Sequence, residues 1–244
     1  MKLIERPSPN YDSRNGCAVD MLILHYTGMP TTAEAIARLT DPAAKVSAHY
    51  LVDEGARVYR LVPETKRAWH AGVAGWGGVS DVNAHSIGIE ISNPGHEYGY
   101  REFSLEQIAA VISLAKEIVA RHRIHPARVL GHSDVAPTRK QDPGELFDWQ
   151  RLARAGVGLW PGQVKPLGRT LIPGEKGPDV AAMQKQLAAF GYSVPIKGEY
   201  CAETEAVVRA FQRHFRPVKV DGVADGQTRA LIARLKEQVA RSIA

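Results

Sequence analysis

Three side chains in the first two thirds of this chain are of the types that hold a transition metal and still leave room for a reaction: His25, His132 and Asp142. A catalytic zinc takes three protein ligands that present a lone pair or shed a proton, and it keeps a fourth position for water. His25 closes the apolar run MLILH (21–25), His132 follows RVLG (128–131), and Asp142 ends the loop HSDVAPTRKQD ten residues later. The same two-imidazole, one-carboxylate set also suits non-haem iron. Taken singly, each residue has a plain structural reading, as a satisfied histidine at a strand end or as an aspartate that turns the chain before Pro143 and Gly144.

Glu90 adds a proton-transfer group. In SIGIEIS (86–92), Ile87, Ile89 and Ile91 share one face of a strand, while Gly88 and Glu90 share the other. A carboxylate among isoleucines is costly to bury without a purpose; the alternative is a solvent-facing residue on an antiparallel edge strand. Lys140, two residues before Asp142, is either a solvated loop charge or a cation aimed at the metal site. Trp69 and His70, in a loop beside Gly72, are suited to line a cleft for sugar or peptide, or else the indole belongs to the core.

These residues must be positioned by strands alternating with helices. MLILH reads as a buried strand, and HYLVD (49–53) with RVYRLV (57–62) reads as a hairpin turning at Glu54-Gly55. The segment 104–121 has helical spacing of apolar residues, a candidate N-cap at Ser104 and Gln107 three places on. The class is therefore α/β, a central mixed β-sheet flanked by helices. From Gly158 to Gly177 five glycines and Pro161, Pro166 and Pro173 mark a linker. Beyond it, MQKQL (183–187) leads to Lys197-Gly198 and Thr204, and FQRHF (211–215) leads to Asp221-Gly222 and Thr228, with the threonine six residues after the glycine each time. Two half-repeats of this kind predict a small all-α domain. The expected divisions are 1–160, a linker over 161–174, and 175–244.

Composition bounds the rest. The chain has 244 residues, 23% charged and 44% hydrophobic, which excludes disordered, collagenous and membrane-spanning classes. Its net charge of +5 is unevenly placed, since residues 1–160 hold 18 basic and 18 acidic side chains and residues 161–244 hold 13 and 8. The basic residues do not cluster with aromatics in a nucleic-acid motif, so no nucleic-acid partner is expected. Two distant cysteines, Cys17 and Cys201, exclude a disulfide framework. The N-terminal residues contain no signal-peptide apolar region, which predicts a cytoplasmic protein, with the periplasm as the alternative.

Five ordered motifs, LILHYT (22–27), VSAHYLV (46–52), RAWHAG (67–72), SIGIEI (86–91) and GHSDVAPTRKQDPG (131–144), together resemble the zinc-dependent N-acetylmuramoyl-L-alanine amidases. The resemblance runs from about Arg6 to Trp160. It implies that His25, His132 and Asp142 bind one Zn2+, that Glu90 is the general base, and that Lys140 stabilises the oxyanion. It places Tyr26, Thr27, Trp69, His70 and Ala71 at the substrate and His49 among supporting residues. Remote relatives carry Tyr where Ala48 stands, which leaves the acid-base role to Glu90. The half-repeats are similar to peptidoglycan-binding helical modules, except that Lys197 stands where Asp is usual. The implied activity is cleavage of the muramic acid–L-alanine amide in peptidoglycan or muropeptides by a monomer. A non-catalytic muropeptide-recognition protein is the alternative, and such relatives characteristically lack a metal ligand.

Overall fold

The computed structural model describes residues 2–243. In chain order the strands are β1 (Leu3–Glu5), β2 (Tyr11–Ser13), β3 (Met21–Tyr26), β4 (Tyr50–Val52), β5 (Val58–Arg60), β6 (Lys66–Ala68), β7 (Ser86–Ile91) and β8 (Val129–Gly131). The helices are α1 (Thr32–Thr40), α2 (Val82–His85), α3 (Gly95–Tyr98), α4 (Leu105–His122), α5 (His132–Val135), α6 (Trp149–Arg154), α7 (Pro178–Phe190), α8 (Ala202–Phe215) and α9 (Gly226–Ile243). Among the described residues the main sheet has the order β1-β5-β4-β7-β3-β8, and β2 pairs with β6 apart from it. Every neighbouring pair of the main sheet is parallel except the β4/β5 hairpin. The sheet is thus mixed and helix-flanked, as the alternating pattern implies. In the hairpin turn the left-handed residue is Ala56 (φ 61°), not Gly55. The turn sits at Glu54-Gly55 as expected, closed by the Ala56 N–H on the Asp53 carbonyl at 3.0 Å, and the Asp53 carboxylate accepts the Arg57 N–H at 2.8 Å.

The alternation of β3 and β7 decides what reaches the site. Leu22, Leu24, Ile87, Ile89 and Ile91 pack with Ile108, Val111, Ala115 and Ile118 of α4. Met21 and Ile23 join a second apolar cluster, and His25 continues their row to the carboxyl end of the strand. Ser104 does cap α4, accepting the Gln107 N–H at 3.1 Å. The Gln107 side chain does not complete a capping box; it donates to the Ser92 carbonyl at 2.9 Å and ties α4 to the strand end of β7.

In the helical region the sequence repeat has a structural cause. Gln184 on α7 accepts the Gly198 N–H at 2.9 Å and donates to Thr204 Oγ1 at 2.9 Å. Gln212 on α8 accepts the Gly222 N–H at 2.8 Å and lies 3.4 Å from Thr228 Oγ1. Each glutamine braces the turn that starts the next helix. Asp221 adds a bond from the Val223 N–H (3.0 Å), and a lysine, which has no acceptor, cannot reproduce it at position 197.

The helices do not stand apart from the sheet. Met21, Ile23, Trp76, Leu130 and Val135 share one buried cluster with Val180, Leu187, Phe211, Phe215 and Leu235. The Pro/Gly-rich segment is partly pinned as well, since Leu171 is fully buried and pairs with Ala224, while the Leu167 N–H donates to the Gly226 carbonyl at 2.8 Å. No helix among the described residues is long and apolar enough to cross a membrane.

Candidate active site

The carboxyl ends of β3 and β8 and the loop after α5 bring His25, His132 and Asp142 together, all three buried. Their facing atoms form a nearly equilateral triangle: His25 Nδ1 to His132 Nδ1 is 3.0 Å, His25 Nδ1 to Asp142 Oδ2 is 3.1 Å, and His132 Nδ1 to Asp142 Oδ2 is 3.0 Å. A tetrahedral zinc with bonds of about 2.0–2.1 Å sets its ligand atoms about 3.3 Å apart. The triangle therefore has the size and the donor chemistry of three ligands around one ion.

Hydrogen bonds behind the rings show which nitrogens carry protons. The Ala71 carbonyl can only accept, so His132 donates to it from Nε2 (3.0 Å), and the tautomer that does so keeps its lone pair on Nδ1. For His25 the argument runs through two residues. Ser86 gives its hydroxyl proton to the Val82 carbonyl (2.6 Å) and so accepts from His70 Nε2 (3.1 Å). His70 Nδ1 must then accept from His25 Nε2 (3.0 Å), which leaves the His25 Nδ1 lone pair facing the triangle. Two lone pairs and a carboxylate thus converge on one point, an arrangement that repels itself unless a cation takes that point.

Gly88 makes this chain possible. A Cβ on Gly88 would lie 2.6 Å from the His70 ring, so only glycine lets the imidazole lie against β7.

Burial pushes His25 down to about 4 and His49 to about 3, and it holds His70 well below its ordinary value. Unfolded imidazoles take up protons near pH 6.5 and these folded ones do not, so the unfolded state binds more protons as pH falls. We expect metal-free protein to keep its full stability above pH 6.5. Below that it loses roughly 1.4 kcal/mol per pH unit for each such ring, until the folded values are reached. Urea midpoints that are equal at pH 7 and pH 5 would show these rings to be charged in the folded protein.

Glu90 lies in register with His25 on the adjacent strand, and both line a cleft of about 350 Å³ with Lys140. β7 is an internal strand, parallel to β3 and to β4, so the edge-strand reading of Glu90 is excluded. Its Oε2 is sealed from solvent and has no hydrogen-bond partner. Burial raises the carboxyl well above its ordinary range, the Asp142 charge adds to the rise, and Lys140 opposes it. An orphaned buried oxygen costs roughly 1–3 kcal/mol, so this one stands to gain from any donor that enters the cleft. Among the described residues Lys140 has no ion-pair partner, which leaves its ammonium available to the cleft.

The expected substrate contacts divide. Tyr26 and Thr27 line the cleft, where the Tyr26 hydroxyl meets His96 (3.0 Å) and Thr27 donates to the Asn93 carbonyl (3.1 Å). Trp69 borders a smaller adjoining cavity, and its indole N–H is sealed and unpaired. His70 and Ala71 have their polar groups already engaged. Both ring nitrogens of His70 are taken by protein groups, and the Ala71 side chain is fully buried with its carbonyl spent on His132. His70 still lines the cleft, and both residues border the smaller cavity, so what they offer a substrate there is a ring face and a wall. His49, also buried, accepts the Gly88 N–H at 3.0 Å and supports the strand.

Sequence reasoning missed three supports. Ser86 ends the proton chain; Asn83 accepts the N–H groups of His70 and Ala71; and Arg139 grips the carbonyls of Ala71 and Val73 at 2.8 and 2.6 Å. Asn83 and Arg139 act through backbone groups, which leave no mark in side-chain spacing.

A mixed sheet with two imidazoles at its strand ends and a carboxylate in the loop that follows, beside an unpartnered glutamate, has the parts of a hydrolase whose site could hold a metal ion. The chain belongs to the N-acetylmuramoyl-L-alanine amidase family, whose profile matches residues 15–145, and residues 176–232 match a peptidoglycan-binding domain family. The N-acetylmuramoyl-L-alanine amidase AmiD of Escherichia coli (strain K12) is 39% identical over 234 residues, spanning 90% of this chain and 83% of that protein. The structure of E. coli AmiD with the substrate anhydro-N-acetylmuramic acid-L-Ala-D-gamma-Glu-L-Lys matches with a TM-score of 0.78 at 36% identity, over 95% of this chain and 92% of that one. AmpDh3 from Pseudomonas aeruginosa, in complex with anhydromuramic pentapeptide, matches with a TM-score of 0.75 at 31% identity, over 95% of each chain.

Proposed function

We propose that this protein hydrolyses the amide bond between N-acetylmuramic acid, or its 1,6-anhydro form, and L-alanine, with one zinc ion held by His25, His132 and Asp142. The observation that carries the reading is the orphaned Glu90 Oε2 in the cleft that the ligand triangle lines. The muropeptides bound in the AmiD and AmpDh3 structures support this substrate class. When bound, zinc polarises the scissile carbonyl and acidifies a water molecule.

The chain's own residues do the rest. Glu90 removes a proton from the attacking water and delivers it to the departing alanine nitrogen, so the new amine leaves neutral. Lys140 faces the carbonyl oxygen as it gains charge, a role worth roughly 3–4 kcal/mol for a well-placed donor. Tyr26 and Thr27 wall the cleft where sugar and peptide lie, and Trp69 borders the smaller cavity beside it. Residues 1–160 form the catalytic unit, 161–174 the connection, and 175–244 the unit that holds wall polymer; the positive excess is shared by the last two, with Lys165 and Arg169 in the connection.

Purified sacculi and small anhydromuropeptides, each incubated with zinc-loaded protein, should release peptides with a free L-alanine amino terminus, detected by mass. No release from either substrate overturns the proposal.

A further inference from the structure

The helix α5 that carries His132 is four residues long, too short to hold its own shape, because a single helical turn is unstable in isolation. What fixes it comes from outside. Ser133 donates its N–H to the Asp142 carbonyl (2.9 Å), so α5 and the backbone of a second ligand move together. Asp134, two residues beyond His132, is fully buried and accepts three hydrogen bonds. The Gly131 N–H donates to Oδ2 at 2.8 Å, His214 Nδ1 to Oδ2 at 2.7 Å, and the Tyr192 hydroxyl to Oδ1 at 2.5 Å.

Two of those three donors belong to the helical region. Both are held rigidly: the His214 ring lies 3.7 Å from Trp149 and 3.8 Å from Phe215, stacked on each, and Tyr192 packs edge-on against Trp76 at 4.8 Å. His214 Nε2 is sealed without a partner, so Nδ1 makes the ring's one polar contact. Such placement goes beyond filling a gap between two domains.

We infer that the helical region is part of the support of the metal centre. Tyr192 and His214 are positioning residues that act through Asp134 to hold α5, and with it His132 and the Asp142 backbone, in the geometry that takes up metal. A region whose family likeness speaks of wall binding thereby also sets the metal affinity of the catalytic site. The inference rests on the reading of His132 and Asp142 as zinc ligands.

Zinc affinity measured by chelator competition on the full-length chain tests it. Tyr192→Phe, which removes one hydroxyl, and Asp134→Asn should each weaken zinc binding about tenfold or more, the range found for partners that orient metal ligands. Leu235→Ala serves as the comparison, because it opens a cavity in the shared core on α9 and removes none of the Asp134 donors. It should lower the unfolding temperature and leave zinc affinity unchanged. Wild-type affinity in both Tyr192→Phe and Asp134→Asn overturns the inference, and so does an equal loss in Leu235→Ala, which would make the effect one of general stability. A wild-type chain that takes up no zinc would instead refute the metal centre itself.

Discussion

Glu90→Gln should lower kcat/KM by about 10²–10⁴-fold, the usual contribution of a positioned acid-base group, while zinc affinity stays within twofold of wild type. The amide has the same shape but cannot take a proton. Metal binding should survive because the ligand triangle consists of His25, His132 and Asp142, and Glu90 is not among its members. Stability should hold or rise, since burial disfavours the charged carboxylate and the neutral amide carries no such penalty. Activity across pH provides a second readout. Glu90 must be ionised to act, so the acid limb of wild-type kcat/KM follows its protonation, and the residual activity of the variant should lack that limb. Full activity of Glu90→Gln with metal bound would remove Glu90 from the reaction.

His25→Ala is expected to abolish both metal uptake and turnover. Removing one corner of the triangle leaves two ligands from a single stretch of chain, His132 and Asp142, and zinc held by a pair is far weaker than zinc held by three. Thermal unfolding gives a measurement independent of catalysis. With zinc at about a thousand times its dissociation constant, wild-type protein gains roughly 4 kcal/mol by mass action, and His25→Ala should gain almost none. A zinc-induced rise in unfolding temperature equal to that of wild type would place the ion elsewhere. Asp142→Asn should fall between the two, because an amide oxygen can still coordinate but brings no negative charge to the site.

The candidate ligand set was partly legible, because metal chemistry restricts residue types and because His25 and His132 follow the apolar strand patterns, whereas Asp142 lies in a loop and joined them only through the resemblance of the ordered motifs. The face on which Glu90 lies was also legible from alternation with Ile87, Ile89 and Ile91. Its burial was not, since strand order depends on pairings between distant segments, and only those place β7 between β4 and β3. His70 illustrates a second limit. Its type and loop suit a cleft, yet its hydrogen bond to Ser86 and its place against the missing Cβ at Gly88 are set by contacts that no periodicity connects. The partners of Asp134 lie 58 and 80 residues away in sequence. Proline and glycine between 158 and 177 suggested a free linker, but composition could not show that Leu171 is fully buried.

The shared core of sheet and helices alters how two linked units cooperate on a polymer. A flexible tether lets one unit search a volume around the other, and its benefit follows from an effective concentration set by tether length. Here Trp76, Ile23, Phe211 and Leu187 belong to one apolar cluster, so the connection behaves as a joint. A glycan strand gripped by the helices would meet the cleft at one constant offset and bearing, as against a jig. Changing the length of residues 161–166 would then leave the spacing between grip and cut unaltered.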